Sequence, residues 1–268
     1  MIKRMEPNER IAFYDNNPSA KEELLNWFKL NDNNNIKGLR CMALRPEDRR
    51  YRYAYRNINS KYAYALTPLT EELFNKTVRF ARTVEFFPWI FDEGILKCMR
   101  KANVNEHRIG ITMVIDIDAP DKNEDDKSIG RQDLLQEDCK YLEIMDNVLG
   151  VFKDELNKVD LWNESKMTFT GNGINIVLSP YYDNMIELMK YANGVKGLIK
   201  DVTKMVKYPF VHAKLPGWNS NFKPPKTFHF ERNRLTLEIP DINRKLDLDW
   251  LIQQSNPYND KVYVQCIQ

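Results

Sequence analysis

The sequence predicts an α+β fold in which helices pack against largely antiparallel β-strands. Apolar runs of strand length and segments with helical periodicity alternate irregularly along the 268 residues. At least one pair of β-rich runs is joined by a short glycine turn, which is typical of a hairpin. These two observations favour α+β over a doubly wound parallel sheet, which would need regular alternation of strands and helices. For a chain of this length we expect a single domain.

The composition excludes several classes of protein. The chain is 43% hydrophobic and 29% charged, yet its net charge is only +2, so contact with nucleic acid would have to rely on local basic patches. The four cysteines lie far apart and none forms a CxxC pair, which argues against zinc and against a disulfide framework. No long apolar run or apolar leader occurs. We therefore expect a soluble cytoplasmic protein without a membrane partner.

The N-terminal part combines a helical segment with a basic region. Asn17 and Pro18 precede a segment typical of a capped helix. Residues 36–62 hold eight Lys or Arg against two acids, and three tyrosines alternate with other residues over 51–56. This period of two predicts a strand, either an ordinary amphipathic one or one that contacts nucleic acid. The arginines concerned are Arg49, Arg50, Arg52 and Arg56.

The middle of the chain alternates between helices and strands. Thr70 opens a segment whose helical spacing reaches Val84. Residues 109–118, IGITMVIDID, form a nearly continuous apolar run that ends in acids. Such a run predicts a buried strand that delivers its last residues to a site. After an acidic loop, apolar residues spaced by three and four from Leu135 to Leu156 predict a long helix.

The second half begins with a predicted hairpin. Two β-rich runs, MTFT and INIVLSP, flank the Gly-Asn-Gly turn at 171–173. Asp183 is placed to cap a helix that continues through Ala192. Residues 187–232 hold nine Lys or Arg against three acids. The last segment, from residue 234 onward, mixes a strand with a helix.

Asp116 and Asp118 stand two residues apart at the end of the apolar strand, so their side chains share one face. Two neighbouring carboxylates repel each other unless one is protonated or they bind a divalent cation. Mg²⁺ prefers a few carboxylates together with substrate phosphates. A two-metal site can stabilise both the attacking and the leaving oxygen of a phosphoryl transfer. The alternative is that these acids only begin a solvated loop, because the DxD tripeptide is common.

Two further features are weak individually. The segment from Thr170 to Asn175 contains the glycine turn, whose backbone N–H groups could approach phosphate oxygens closely. Any tight turn also uses glycine, however. Asp201 is a single acid in a lysine-rich stretch, and alone it would be interpreted as a paired surface charge.

Taken in order, these three features resemble the motifs of the archaeo-eukaryotic primase superfamily, which includes small catalytic primase subunits and the primase-polymerases of plasmids and viruses. VIDIDAPD is similar to the first motif, an acidic pair at a strand end. TFTGNGINI is similar in form to the second, with Thr170 for serine and Asn175 for histidine. Asp201, followed 14 residues later by Leu215-Pro216-Gly217, resembles the third. The resemblance covers residues 50–240, approximately.

The resemblance implies a DNA-dependent nucleotidyltransferase, a primase or polymerase, with an RRM-like core of mixed or antiparallel sheet and flanking helices. Residues 1–50 would be an extension, 51–240 the core and 241–268 a C-terminal segment of one catalytic domain. Asp116, Asp118 and Asp201 would hold two Mg²⁺ or Mn²⁺ ions and carry catalysis. The implied nucleotide-binding residues are Thr170, Gly171, Asn172, Gly173, Asn175, Lys214 and Asn219.

The resemblance also implies partners. These are a single-stranded DNA template, nucleoside triphosphates and, as for relatives of this kind, a helicase or a large primase subunit. The basic regions 36–62 and 187–232 would bind template phosphates, and exposed tyrosines would stack on bases.

Three departures from the family pattern keep alternatives open. Asn175 can donate a hydrogen bond but lacks the charge of the family's phosphate-contacting histidine. The cysteine-rich zinc element of many relatives is absent, and Asn219 lies near the position where a histidine often follows the third motif. One alternative is a primase fold that has lost catalysis and serves as a nucleic-acid-binding replication subunit. Another is a DxD glycosyltransferase. For the third acid, Asp247 and Asp249 are rivals to Asp201.

Overall fold

The computed structural model confirms the predicted α+β class, with antiparallel pairing between neighbouring strands throughout the described residues. The described residues are 6–32, 35–44, 67–76, 78–80, 84–97, 106–118, 141–171, 173–179, 184–206, 211–214, 222–229 and 234–258. Within these ranges no helix is both long enough and apolar enough to cross a lipid bilayer.

The N-terminal unit packs helices beside a first antiparallel sheet, with strand order β1-β2-β4-β5 and β3 paired to β2. Its elements are α1 (Pro7–Asn16), α2 (Pro18–Trp27), β1 (Lys29–Asp32), β2 (Asn35–Leu44), β3 (Thr67–Pro68), α3 (Glu71–Lys76), β4 (Val84–Phe91) and β5 (Arg108–Ile111). Short 3₁₀ helices occupy Val78–Phe80 and Glu93–Lys97. The predicted helix after Asn17 is confirmed as α2.

The C-terminal unit holds a second antiparallel sheet. Its elements are β6 (Met113–Asp118), α4 (Tyr141–Asn157), β7 (Lys166–Phe169), β8 (Gly173–Leu178), α5 (Met185–Val206), β9 (Val211–Lys214), β10 (Phe228–His229), β11 (Arg234–Leu235), β12 (Leu237–Ile239) and α6 (Leu248–Ser255). The sheet order is β12-β7-β8-β6-β9, and β10 and β11 pair as a separate ribbon.

The connections β6-α4-β7-β8-α5-β9 combined with this strand order make a ferredoxin-like split βαβ unit, extended by β12 at one edge. Proteins of many unrelated functions share this arrangement. The antiparallel sheet and flanking helices expected for this region are therefore present, while the primase-like core stays a prediction.

The two faces of the second sheet differ in chemistry because side chains alternate along each strand. One face carries Ile115 and Ile117 of β6 beside Ile176 and Ile174 of β8, all fully buried. In a split βαβ unit both crossover helices cover the same face. The buried stripes of these helices are Met145, Val148, Phe152 and Leu156 of α4 and Leu188, Val195, Ile199 and Val202 of α5.

Three predicted elements differ in extent. The helix expected from Thr70 to Val84 ends at Lys76, and Val84 begins β4. The segment VEFFPWIF is rich in aromatic and β-branched residues, and its pairing with β2 overrides the helical spacing. The apolar run 109–118 divides at Thr112 between two sheets. Helix α5 continues beyond Ala192 because its apolar stripe does. The predicted strand at 51–56 and the acidic loop lie outside the described residues.

Arg40 of β2 joins the two units at the place where the chain passes from β5 to β6. Its guanidinium is buried and lies 4.7 Å from the Trp27 ring centroid and 5.4 Å from that of Phe86. Its nitrogens donate to the Trp27 carbonyl (2.5 Å), to the Ser179 hydroxyl (2.9 Å) and to the Thr112 hydroxyl (3.4 Å). Thr112 precedes β6 and Ser179 follows β8, so one side chain connects the first sheet to both strands.

We predict that Arg40→Met lowers the free energy of unfolding by about 2–4 kcal/mol, because buried acceptors lose a charged donor. Arg40→Lys should recover part of this loss, since an ammonium group keeps the charge but cannot reach three acceptors at once. Urea denaturation followed by circular dichroism measures both values. The exposed Lys196 of α5 supplies the control, because Lys196→Met should change stability by less than about 0.5 kcal/mol. An Arg40→Met protein as stable as this control would contradict the assignment.

Candidate functional site

The predicted acidic pair lies on an interior strand of the second sheet. Asp116 and Asp118 belong to β6, between β8 and β9, and occupy the face opposite Ile115 and Ile117. Asp116 is only 4% exposed, whereas Asp118 at the strand end is partly exposed. The apolar strand therefore delivers two carboxylates to one face, as the sequence predicts.

Polar residues form a row across this face of the sheet. In the strand register, Asp116 pairs with Asn175 of β8 and Asn175 pairs with Thr168 of β7. The row continues to Glu238 of β12 and, on the other side, to the backbone position of His212 on β9. Directly opposed residues on neighbouring strands share a face and lie within contact distance. We call these five positions the polar row.

Asn175 contacts the carboxylate of Asp116 directly. In the amide orientation that satisfies its neighbours, Nδ2 of Asn175 donates to Oδ1 of Asp116 at 2.5 Å and to the Ile174 carbonyl at 3.3 Å. Asn175 is 6% exposed and Thr168 is 1% exposed. The Thr168 hydroxyl has no hydrogen-bond partner within the part of the chain that the structure describes. The Asn175 amide is therefore a neutral donor from the row that reaches Asp116.

The hairpin between β7 and β8 requires glycine at two positions for steric reasons. Gly171 has φ +94°, and a Cβ there would lie 2.8 Å from Cβ of His229. A Cβ at Gly173 would lie 2.6 Å from the Ile117 carbonyl oxygen and 3.1 Å from Cα of Asp118. The turn is thus packed between β10 and the end of β6, directly beside the acidic pair.

The Thr170 side chain forms a hydrogen bond within the turn itself. Its hydroxyl donates to the Gly173 carbonyl at 3.2 Å, and its backbone N–H donates to the same oxygen at 2.9 Å. Thr170 is also buried. In this conformation its hydroxyl closes the hairpin, and the phosphate contact expected for it would require this bond to break.

An imidazole and a guanidinium side chain that sequence reasoning missed stand beside the turn. His229 of β10 and Arg234 of β11 are register partners, and a Cβ at Gly171 would meet His229 Cγ at 3.2 Å and Arg234 Cβ at 3.5 Å. His229 is buried. The basic sequence around them was visible, but its distance of some 60 residues from the turn along the chain gave no signal of contact. Only the packing of the β10–β11 ribbon against the hairpin reveals it.

Asp201 does not join the acidic pair. It lies on the outer side of α5, is 70% exposed and forms an ion pair with Lys204 at 3.3 Å. Since α5 covers the Ile115 face, Asp201 and Asp116 lie on opposite sides of the sheet. Across the described ranges no three His, Cys, Asp or Glu side chains come together to hold a metal ion. The expected cluster of three carboxylates is therefore not formed.

The rival acids have a structural role. Asp247 is the N-cap of α6 and accepts a hydrogen bond from the Trp250 N–H at 2.9 Å. Asp249 lies in the first turn of α6, where a negative charge is favourable to the helix dipole. The DxD spacing at 247–249 is thus explained by helix capping.

Of the remaining predicted site residues, one lies at the end of β9 and six lie outside the described ranges. Lys214 is the last residue of β9, and its backbone pairs with that of Val114. The predicted residues that lie outside the described ranges are Arg49, Arg50, Arg52, Arg56, Asn172 and Asn219.

The acidic pair fits a hard divalent cation in part. Mg²⁺ is usually held by one or two protein carboxylates, with waters and substrate phosphates completing its coordination. Asp116 and Asp118 meet this minimum on one face of β6, and the backbone of the glycine turn packs closely beside them. The donor set contains no thiolate, which argues against a soft metal.

Compared with protein-family models and with curated proteins, the sequence matches no family model and no curated protein at a significant level.

We predict that alanine destabilises the turn at both glycines. Gly173→Ala should lower the free energy of unfolding by about 1–3 kcal/mol, because its Cβ would collide with backbone. Gly171→Ala should cost about 1–2 kcal/mol because of its positive φ. Gly194→Ala on α5 is the matched control, since its Cβ would enter open space, and should stabilise by about 0.5–1 kcal/mol. Equal stabilities of the three variants in urea denaturation would refute this account of the turn.

Proposed function

We propose that the chain is a DNA-dependent nucleotidyltransferase of the primase-polymerase type, which makes or extends strands from nucleoside triphosphates in the cytoplasm. The observation that carries the proposal is the contact between the acidic pair and the glycine turn. Asp118 pairs with Gly173 in the register of β6 and β8. The carboxylates proposed to bind divalent cations and the backbone proposed to contact phosphates are thus adjacent, as transfer of a nucleotidyl group requires.

In this function Asp116 and Asp118 would hold Mg²⁺ or Mn²⁺. When bound, these ions lower the pKa of the attacking hydroxyl and neutralise charge on the leaving pyrophosphate. The chain's own residues would orient the triphosphate, with Gly171 and Gly173 keeping the turn free of side chains. Arg234, on the other side of the turn beside His229, would supply positive charge to a polyphosphate.

The template would be single-stranded DNA held by local basic patches. Lys190, Lys196, Lys200 and Lys204 are exposed on α5, but α5 lies on the side of the sheet away from the acidic pair. Contacts with the template beside the site would therefore come from other basic residues, including those outside the described ranges. A helicase or a large primase subunit would be the natural partner of such an enzyme, since priming needs an unwound template.

A catalytically inactive replication subunit is the second candidate. It is favoured by the position of Asp201, which leaves only two carboxylates together among the described residues. The glycosyltransferase alternative is not favoured, because the strands described before Asp116 form an antiparallel sheet instead of the parallel one typical of a nucleotide-binding half.

We predict that Asp116→Ala and Asp118→Ala each reduce divalent-dependent incorporation of labelled nucleotides by about 100-fold or more, because electrostatic stabilisation of the transferring group dominates this chemistry. The assay uses primed and unprimed single-stranded DNA with ribo- and deoxyribonucleotides. Asp201→Ala is the matched control. It should retain activity close to that of the wild type, since Asp201 is exposed behind the sheet.

The outcomes separate the candidates. A wild-type protein that binds single-stranded DNA but incorporates no nucleotide would favour the inactive subunit. Loss of activity in Asp201→Ala, with its fold intact by circular dichroism, would show that the third acid reaches the site in a conformation other than this one.

A further inference from the structure

We infer that Asn175 is a positioning residue for Asp116 and not a phosphate ligand. The inference rests on the proposed function and assigns Asn175 a role different from the one that its place in the second motif implies. The pairing of strands in the sheet determines which atoms the Asn175 amide contacts.

The strand register fixes the contact. Asn175 and Asp116 are directly opposed on β8 and β6, both on the polar face and both more than nine-tenths buried. Nδ2 of Asn175 reaches Oδ1 of Asp116 at 2.5 Å. Because both residues belong to the interior of a five-stranded sheet, neither backbone can shift without breaking the ladder. The amide therefore meets the carboxylate wherever the sheet is intact.

The same geometry leaves the amide without a donor for phosphate. A primary amide has two N–H groups, and those of Asn175 have acceptors in Asp116 Oδ1 and the Ile174 carbonyl. The atom that remains is the amide oxygen, which is an acceptor and repels phosphate oxygens. A phosphate contact would require the buried carboxylate of Asp116 to lose this partner.

A neutral donor suits an acid that binds a cation. One hydrogen bond to Oδ1 restricts rotation of the Asp116 carboxylate, so less entropy is lost when a metal ion binds. A protonated histidine would also orient the carboxylate but would cancel one negative charge. Asparagine orients the carboxylate and keeps the charge of the pair intact.

The test is Mn²⁺ binding, measured by electron paramagnetic resonance with and without a non-hydrolysable nucleoside triphosphate. Asn175→Leu and Asn175→Ala should each weaken Mn²⁺ binding about 10-fold or more, as is typical for partners that orient metal ligands. Asn175→His should recover most of the affinity, because a ring N–H can donate to Asp116. At saturating Mn²⁺ the nucleotide KM of Asn175→Ala should stay near the wild-type value, while kcat falls.

Thr168→Val is the matched control. Thr168 is the next residue in the polar row and equally buried, but its hydroxyl makes no hydrogen bond in the described part of the chain. Its removal should leave Mn²⁺ affinity unchanged. Circular dichroism and urea denaturation establish that the variants are folded. If leucine cannot be accommodated at position 175 and that variant is unfolded, Asn175→Ala alone provides the test.

The results distinguish failure of the inference from failure of the proposed function. If the wild type binds Mn²⁺ no better than Asp116→Ala under either condition, the acidic pair is not a metal site and both are overturned. If Asp116→Ala loses Mn²⁺ binding but the Asn175 variants keep it and instead raise the nucleotide KM, the proposed function stands. Asn175 is then a phosphate ligand and the inference is wrong.

Discussion

The stretch of extended chain from Arg108 to Asp118 forms the edge strand of one sheet and an interior strand of the other. At Thr112, where it passes between them, Arg40 donates to the flanking hydroxyl and also to Ser179 at the end of β8. The relative position of β6 and β8 is thus held at one end by a buried cation and at the other by the close approach of Gly173 to Ile117. Asp116 and Asn175 lie between these two restraints.

The division of the second sheet into an apolar and a polar face explains why acids can be buried there. The helices cover the isoleucine face, and the opposite face holds buried polar residues that pair with one another, as Asn175 does with Asp116. The polar row still stands between apolar neighbours such as Val114 and Val177, where charge is poorly screened. A carboxylate in these surroundings interacts strongly with any cation that reaches it. An amide can donate a hydrogen bond to this carboxylate without neutralising its charge.

Local sequence patterns predicted the parts of the fold that local physics decides. The apolar strand ending at Asp118, the hairpin at 171–173 and helix α4 each follow from periodicity or turn chemistry, and all are present. The patterns failed where tertiary contacts decide. The apolar stripe of α5 keeps its helical spacing through Val202, so the sequence did carry the signal that the helix passes Asp201. Which face of the sheet this helix covers is decided by tertiary packing, and that is what places Asp201 behind the sheet. The positions of His229 and Arg40 could likewise not be predicted from local sequence, since the residues that each contacts are distant along the chain.

The close packing at Gly173 also restricts the register in which β8 can pair with β6 during folding. In an antiparallel pair, a slip of one residue turns every side chain to the other face. Such a slip of β8 against β6 would bring the isoleucines onto the polar face and turn Asn175 toward the helices. It would also move Ile174 to the place opposite Asp118 where the backbones leave space only for glycine. The close approach at Gly173 therefore disfavours a slipped pairing of β8 with β6, and it favours the alignment in which Asp116 meets the Asn175 amide.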